Sequence, residues 1–192
     1  MERGLESFFE AFLSRESVFF DKKALQSTYI PETVLHREEQ QKQLANILAP
    51  ALKGDKPSNV FIYGKTGTGK TLTTKHTTQG LMEIASKKKK PLKVIYVNCK
   101  LKRSTDTEYR LIAQLARELG KSIPPTGLPT EEVYKAFFKA VNKQKQNYII
   151  VLDEIDQLVS KTGDNALYNL TRINEEDTQS QISIIGVSND IM

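Results

Sequence analysis

Residues 59–71 read Asn-Val-Phe-Ile-Tyr-Gly-Lys-Thr-Gly-Thr-Gly-Lys-Thr. A short apolar run ends in Gly-x-x-x-x-Gly-Lys-Thr, and a helix-compatible segment follows. This constrains the chain more than any other feature, because strand, glycine-rich loop and helix in that order form a phosphate cradle. Glycines let the backbone curl tightly and approach a ligand with no Cβ in the way. The backbone N–H groups of Gly64, Lys65, Thr66, Gly67, Thr68 and Gly69 can then form an anion-binding nest at a helix N-terminus. Lys70 can reach the outer phosphates as a point charge, and Thr71 can offer a hydroxyl to a Mg²⁺ that bridges them. Outside this setting the same string is only a Gly/Thr-rich surface turn.

The setting is strengthened by a second apolar run, Tyr148-Ile149-Ile150-Val151-Leu152, which ends in Asp153-Glu154-Ile155-Asp156. In a parallel α/β sheet ligands bind at the C-terminal ends of the strands. Asp153 is placed there for the Mg²⁺ shell, and Glu154 to polarise a water for in-line attack on a γ-phosphate. Two acids after a strand also occur simply at helix N-termini, where the dipole favours them. Asn189 follows a further strand at the same sheet edge. Its amide suits a hydrogen bond to the attacking water or the γ-phosphate, and it equally suits a turn in Ser188-Asn189-Asp190.

Strands are expected at Val60–Tyr63, Val94–Val97, Tyr148–Leu152 and Ile182–Val187. The second and third are continuous apolar runs of the kind that is covered on both faces. Helices are expected from His36 to about Leu52, from Gly69 or Lys70 to about Ser86, from Thr107 to Leu119 with Gly120 as C-cap, from a Thr130 N-cap, and over residues 164–176. Their inward positions read as Leu44, Ile47, Leu48 and Ala51; Leu72, Leu81, Met82 and Ile84; Leu111, Ile112, Leu115 and Leu119; Val133, Phe137 and Val141; and Leu167, Leu170 and Ile173. Alternating strands and helices imply an α/β fold with a mostly parallel sheet covered on both faces. Residues 1–28 form an arm, with Leu5, Phe8, Phe9 and Phe12 on one face of a helix. The plain expectation is a packed N-terminal helix; a docking arm is the alternative. Residues 29–192 form the core domain.

Composition sets limits. With one cysteine and two histidines a Cys/His zinc site is not credible, and Cys99 reads as a buried small side chain. No apolar run suggests a membrane span or a signal peptide, so a cytoplasmic protein is expected. The chain carries a net charge of +5. The excess is local: residues 87–103 hold Lys87, Lys88, Lys89, Lys90, Lys93, Lys100, Lys102 and Arg103 and no acid, whereas the remainder has more acids than bases. A polyanion surface is expected in this stretch, although Lys87–Lys90 also reads as a solvated loop.

The motifs together resemble the AAA+ ATPases, in which Asp153-Glu154 corresponds to the Walker B pair and Asn189 to the sensor-1 residue. A finer resemblance is to the archaeal replication initiators, homologues of the eukaryotic origin recognition complex large subunit and of the cell division control loader. It rests on residues 29–38, 61–71, 126–128, 151–156, 167–174 and 185–190. The resemblance implies a P-loop three-layer sandwich that binds ATP/ADP with Mg²⁺ and hydrolyses it weakly. It also implies binding to double-stranded origin DNA, association with other initiator subunits and recruitment of the replicative helicase. The segment from Val34 and Leu35 to Arg37 would help hold adenine. A short helical insertion near Lys100–Asp106 would touch DNA, with Lys102 and Arg103 as phosphate contacts. Family members are much longer. The sequence stops after sensor 1, before an arginine-finger segment, a helical lid with its sensor-2 arginine, and a winged helix. A fragment or truncated paralogue with impaired nucleotide binding and turnover is expected on that ground. A clamp-loader-like or transposition-helper AAA+ ATPase is the alternative, as is a non-catalytic interaction module. His36-Arg37-Glu38 and residues 167–174 favour the initiator.

Overall fold

The computed structural model describes residues 2–14, 19, 21–22, 26, 29–31, 33–100, 107–124, 126–172 and 179–190. Residues 1–33 and 34–192 separate into two units. In the first, helix α1 (Glu2–Leu13) forms as its spacing predicts. Leu5, Phe8, Phe9 and Phe12 share one face of it, and Phe8 and Phe9 meet edge to face at 5.9 Å.

The second unit begins with α2 (Glu38–Leu48). The expected start at His36 is two residues early: His36 takes a positive φ of 59°, and its N–H donates to the Glu38 carboxylate at 3.3 Å. Glu38 and Glu39 then sit in the first turn, where the helix dipole favours acids. The expected continuation to Leu52 also changes form. Pro50 removes a donor, and the chain tightens into a 3₁₀ turn over Ala49–Lys53 that Gly54 closes at φ 93°. Leu44, Leu48 and Ala51 are buried as expected, whereas Ile47 is exposed to a cleft described below.

The remaining elements are β1 (Val60–Tyr63), α3 (Lys70–Lys87), β2 (Leu92–Asn98), α4 (Glu108–Glu118), α5 (Thr130–Val141), β3 (Asn147–Asp153), α6 (Ile155–Thr162), α7 (Asn165–Arg172) and β4 (Gln181–Ser188). The four strands form one parallel sheet in the order β1-β4-β3-β2. Every residue of central β3 is buried, as a strand covered on both faces requires. The edge strands differ: β1 alternates half-buried and exposed residues, and β2 is only partly covered. One core faces α2 and α3 and contains Leu44, Leu48, Leu81, Ala85, Val151 and Ile185. The other contains Leu111, Ile112, Leu115, Val133, Phe137, Leu158 and Leu170. Helices on both faces of one parallel sheet make the three-layer α/β sandwich.

Several local expectations are refined. Threonines are poor interior helix residues, yet Thr74 and Thr78 are buried in α3. Each hydroxyl is satisfied by the carbonyl four residues back, at 2.9 and 2.8 Å. Ile84 is exposed rather than inward. Thr107 caps α4 by accepting from the Arg110 N–H, and Gly120 lies one residue beyond the C-cap Leu119 with φ 82°. Thr130 is the first residue of α5 instead of its cap, because extended Pro129 already supplies the N-cap conformation. Helix α6 is an addition to the expected helices: Asp153-Glu154-Ile155-Asp156 ends the strand, and its acids also lie at a helix N-terminus, the alternative reading of that pair. Ile173 and the rest of the expected helix over 164–176, residues 174–176, lie outside the described residues. Among those described, no helix is long and apolar enough to cross a membrane.

Candidate nucleotide site

The parallel order sends the C-terminal ends of all four strands to one edge of the sheet. Gly64 follows β1, Asn98 ends β2, Glu154 follows β3 and Asn189 follows β4. Because β1 and β3 flank β4, with Tyr63 paired to Ser188 and Val187 to Asp153, Asn189 emerges between the glycine-rich loop and Glu154. Its own N–H donates to the Asp156 carboxylate at 3.3 Å.

The loop from Gly64 to Lys70 has the backbone its glycines predict. Gly67 and Gly69 both take φ 82°, and Gly69 is the left-handed N-cap of α3. The Thr68 hydroxyl closes the loop by donating to the Lys65 carbonyl at 2.8 Å. The Lys70 ammonium folds back over it, donating to the carbonyls of Gly64 and Lys65 at 2.7 and 2.9 Å. The free N–H groups at the start of α3 and this cation together favour an anion at the helix end.

Across the edge, the Thr71 hydroxyl lies 3.1 and 3.0 Å from the two oxygens of Asp153. The Glu154 N–H also donates to Asp153, at 3.1 Å, and the Tyr96 hydroxyl donates to its second oxygen. Burial first, and then the hydrogen bond to Asp153 with its negative charge, push the Tyr96 phenol well above its usual range. Glu154 adopts a left-handed conformation, φ 54° and ψ 46°; for a residue with a long side chain this strain is of the sort that collects at functional sites, about 1–3 kcal/mol. Its carboxylate pairs with the Lys100 ammonium at 3.2 Å and accepts from the Asn98 amide at 3.5 Å. The Lys100 N–H in turn donates to the Asn98 side-chain carbonyl at 2.9 Å, which fixes which end of the amide faces Glu154. Asp156 sits below the usual carboxylate range: burial would raise it, but hydrogen bonds from Gln157, the Asn189 backbone and Ser188 outweigh that. Cys99 is buried, and its thiol is pushed up to about 12, chiefly by that burial.

Beside the loop opens a cleft of about 380 Å³. Arg37, Gln40 and Gln43 line one side, Leu44 and Ile47 the floor, β1 the wall, and Thr68, Lys70 and Thr73 the loop end. Thr73 is almost fully buried, and its hydroxyl has no partner among the described residues. Of the three residues expected at the base, only Arg37 lines this cleft. Its Nε lies 4.0 Å from where a Cβ on Gly69 would stand. Val34 is buried and Leu35 is 72% exposed, and neither is on the lining. Lys102 and Arg103 lie outside the described residues.

The donor set suits Mg²⁺ held through a nucleotide. Thr71 and Asp153 offer hard oxygen ligands, and among the described residues no cluster of three His, Cys, Asp or Glu could hold a metal unaided. Magnesium is commonly bound by one or two carboxylates together with substrate phosphates. Tyr96, Asn98 and Lys100 were missed from the sequence. The available signal was that polar side chains ending a strand paired to β3 must face the same edge as Asp153.

The AAA domain family model matches residues 53–191. An ORC1-type DNA replication protein of Thermococcus onnurineus is 47% identical over 191 residues, 97% of this chain and 45% of that protein. ORC1-type DNA replication protein 1 of Methanosarcina acetivorans is 46% identical over 189 residues, 98% of this chain and 45% of its own length. The chain thus spans about half the length of the curated relatives it matches. The Aeropyrum pernix ORC1 protein in complex with DNA superposes with a TM-score of 0.84 at 40% identity, covering 92% of this chain and 45% of that one. The Aeropyrum pernix ORC2 protein, in its ADPNP–ADP complexes, gives 0.76 at 27% identity over 91% of this chain and 46% of that one. Strand order, loop and paired carboxylates agree with these likenesses: the chain belongs to the AAA domain family and within it resembles the archaeal ORC1-type replication proteins.

Proposed function

We propose that this chain is the ATP-binding core of a DNA replication initiator, which uses ATP as a slowly hydrolysed switch while it binds duplex origin DNA. The observation that carries the nucleotide half is the Thr71 hydroxyl resting on the Asp153 carboxylate. It joins the first turn of α3 to the end of β3, where a phosphate-bound cation would be shared. Gly64, Lys65, Thr66, Gly67, Thr68 and Gly69 would cradle phosphates through backbone N–H groups. Lys70 would exchange its two loop carbonyls for phosphate oxygens. Arg37 and the apolar wall of the cleft would take the base side. Mg²⁺ would neutralise phosphate charge between Thr71 and Asp153. Glu154 would accept the proton of the water that attacks the γ-phosphorus as the bond to the leaving ADP oxygen breaks, and Asn189 would orient that water.

The DNA half rests on the names of the relatives and on the basic stretch. Lys102 and Arg103 are the proposed phosphate contacts, and other initiator subunits and the replicative helicase are the proposed protein partners. Fluorescence anisotropy with a labelled duplex, with ATP present and over a salt series, tests this half. Affinity should fall as salt rises, and Lys102→Ala/Arg103→Ala should reduce the log–log slope by about 2, the loss expected for two phosphate contacts. A double variant with the parent's affinity and slope would refute the assignment.

A further inference from the structure

The strand next to β3 places a second hydroxyl group, beside that of Thr71, at the proposed cation site. Tyr96 lies in β2 directly beside Val151, two residues before Asn98, which pairs with Asp153. Side chains two apart on a strand share a face, so Tyr96 and Asp153 both face α3. From its half-buried position the phenol reaches diagonally to the second carboxylate oxygen. On α3, Thr71 and Lys75 are four residues apart and therefore on the same side of the helix. Thr71 rests on Asp153, and the Lys75 ammonium lies 4.5 Å from the centre of the Tyr96 ring. The result is a two-rung ladder between helix and sheet, with hydroxyl on carboxylate above and cation on ring below.

We infer that the Tyr96 hydroxyl is a positioning group that fixes the carboxylate plane of Asp153 for the nucleotide-bound cation. Each oxygen of Asp153 has one donor that stays in place when a ligand enters. The first has the Glu154 N–H, part of the backbone, and the second has Tyr96. Thr71 is nearly equidistant from both oxygens, so its turning toward a cation frees one lone pair on each without loosening the carboxylate. Remove the phenol hydroxyl, and one oxygen loses its fixed donor while the ring, its packing and the contact with Lys75 remain. Outer-shell partners of metal ligands typically carry about 10- to 100-fold in metal affinity. This inference rests on the reading of Asp153 as a shell ligand, and the test separates the two.

The probes are a fluorescent ADP analogue, Mg²⁺ and Mn²⁺, the last read by electron paramagnetic resonance of the protein–nucleotide complex. Tyr96→Phe should raise the half-saturating Mg²⁺ and Mn²⁺ concentrations by about 10-fold. Nucleotide affinity in excess chelator should stay that of the parent, which shows that the cradle is folded. Asp153→Asn should raise the cation requirement at least as far. If Tyr96→Phe matches the parent while Asp153→Asn does not, the positioning role is wrong and the site stands. If Asp153→Asn also matches the parent, the shell reading fails and this inference with it. If Tyr96→Phe weakens chelator-independent nucleotide binding to the same degree, the hydroxyl is merely structural and the inference is overturned.

Discussion

Asp153 is 2% exposed and accepts hydrogen bonds from Thr71 on α3, from Tyr96 on β2 and from the backbone N–H of Glu154, the residue that caps α6. Glu154, one residue on, has left the strand, holds a left-handed backbone, and is tied to a side-chain amide and to a lysine whose side chain is 67% exposed. The two carboxylates occupy the same sheet edge under different mechanical conditions. A group enclosed by rigid elements keeps one geometry, which suits a ligand to a cation. A group held by a solvated ion pair can be released, which suits an acceptor that must be turned toward water only when substrate is in place. The left-handed backbone of Glu154 fits the second role, because strain of this kind collects at functional sites.

The largest effect on nucleotide affinity is expected at Lys70. Its ammonium already lies on the inner carbonyls of the loop, and a hydrogen bond to a charged group is worth about 1.5–3 kcal/mol. Lys70→Ala should therefore weaken binding of a fluorescent ATP analogue by about 10- to 100-fold, as read by equilibrium titration. Parent-like affinity in that variant would place the phosphates elsewhere. The opposite end of the comparison is Lys100. An exposed ion pair contributes up to about 1 kcal/mol, a factor of about five in rate if it must break before turnover. Lys100→Met should lower the melting temperature by no more than about 4 °C and raise basal phosphate release by no more than about five-fold. A fall in turnover would mean that Lys100 assists Glu154 instead of restraining it.

Some of this was legible in the sequence because the chemistry is local. Gly64 to Thr71 fold their own loop, and Asp153-Glu154 close a run too apolar to lie anywhere but in the centre of a sheet. What was not legible depends on neighbours brought in from elsewhere. Tyr96 read as one more apolar residue of β2, and only the register with β3 turns its hydroxyl into a partner of Asp153. Lys100 read as part of a basic stretch, and only the turn after Asn98 pairs it with Glu154. Helix α6 is hard to read because its cap Glu154 and its first residues, Ile155 and Asp156, also complete the strand motif. Ile47 read as core by periodicity, yet it lies beside β1 on an open cleft, and a helical stripe cannot tell a packed floor from a ligand-facing one.

The division between the two carboxylates is tested most directly by measuring Mg²⁺-dependent nucleotide affinity and phosphate release side by side for Asp153→Asn and Glu154→Gln. Asp153→Asn is predicted to lose the part of the affinity that depends on Mg²⁺. Glu154→Gln is predicted to bind as the parent does while its turnover falls by about 100-fold or more, the usual contribution of a positioned base. Equal losses of affinity in both variants, or parent-like turnover in Glu154→Gln, would contradict the account.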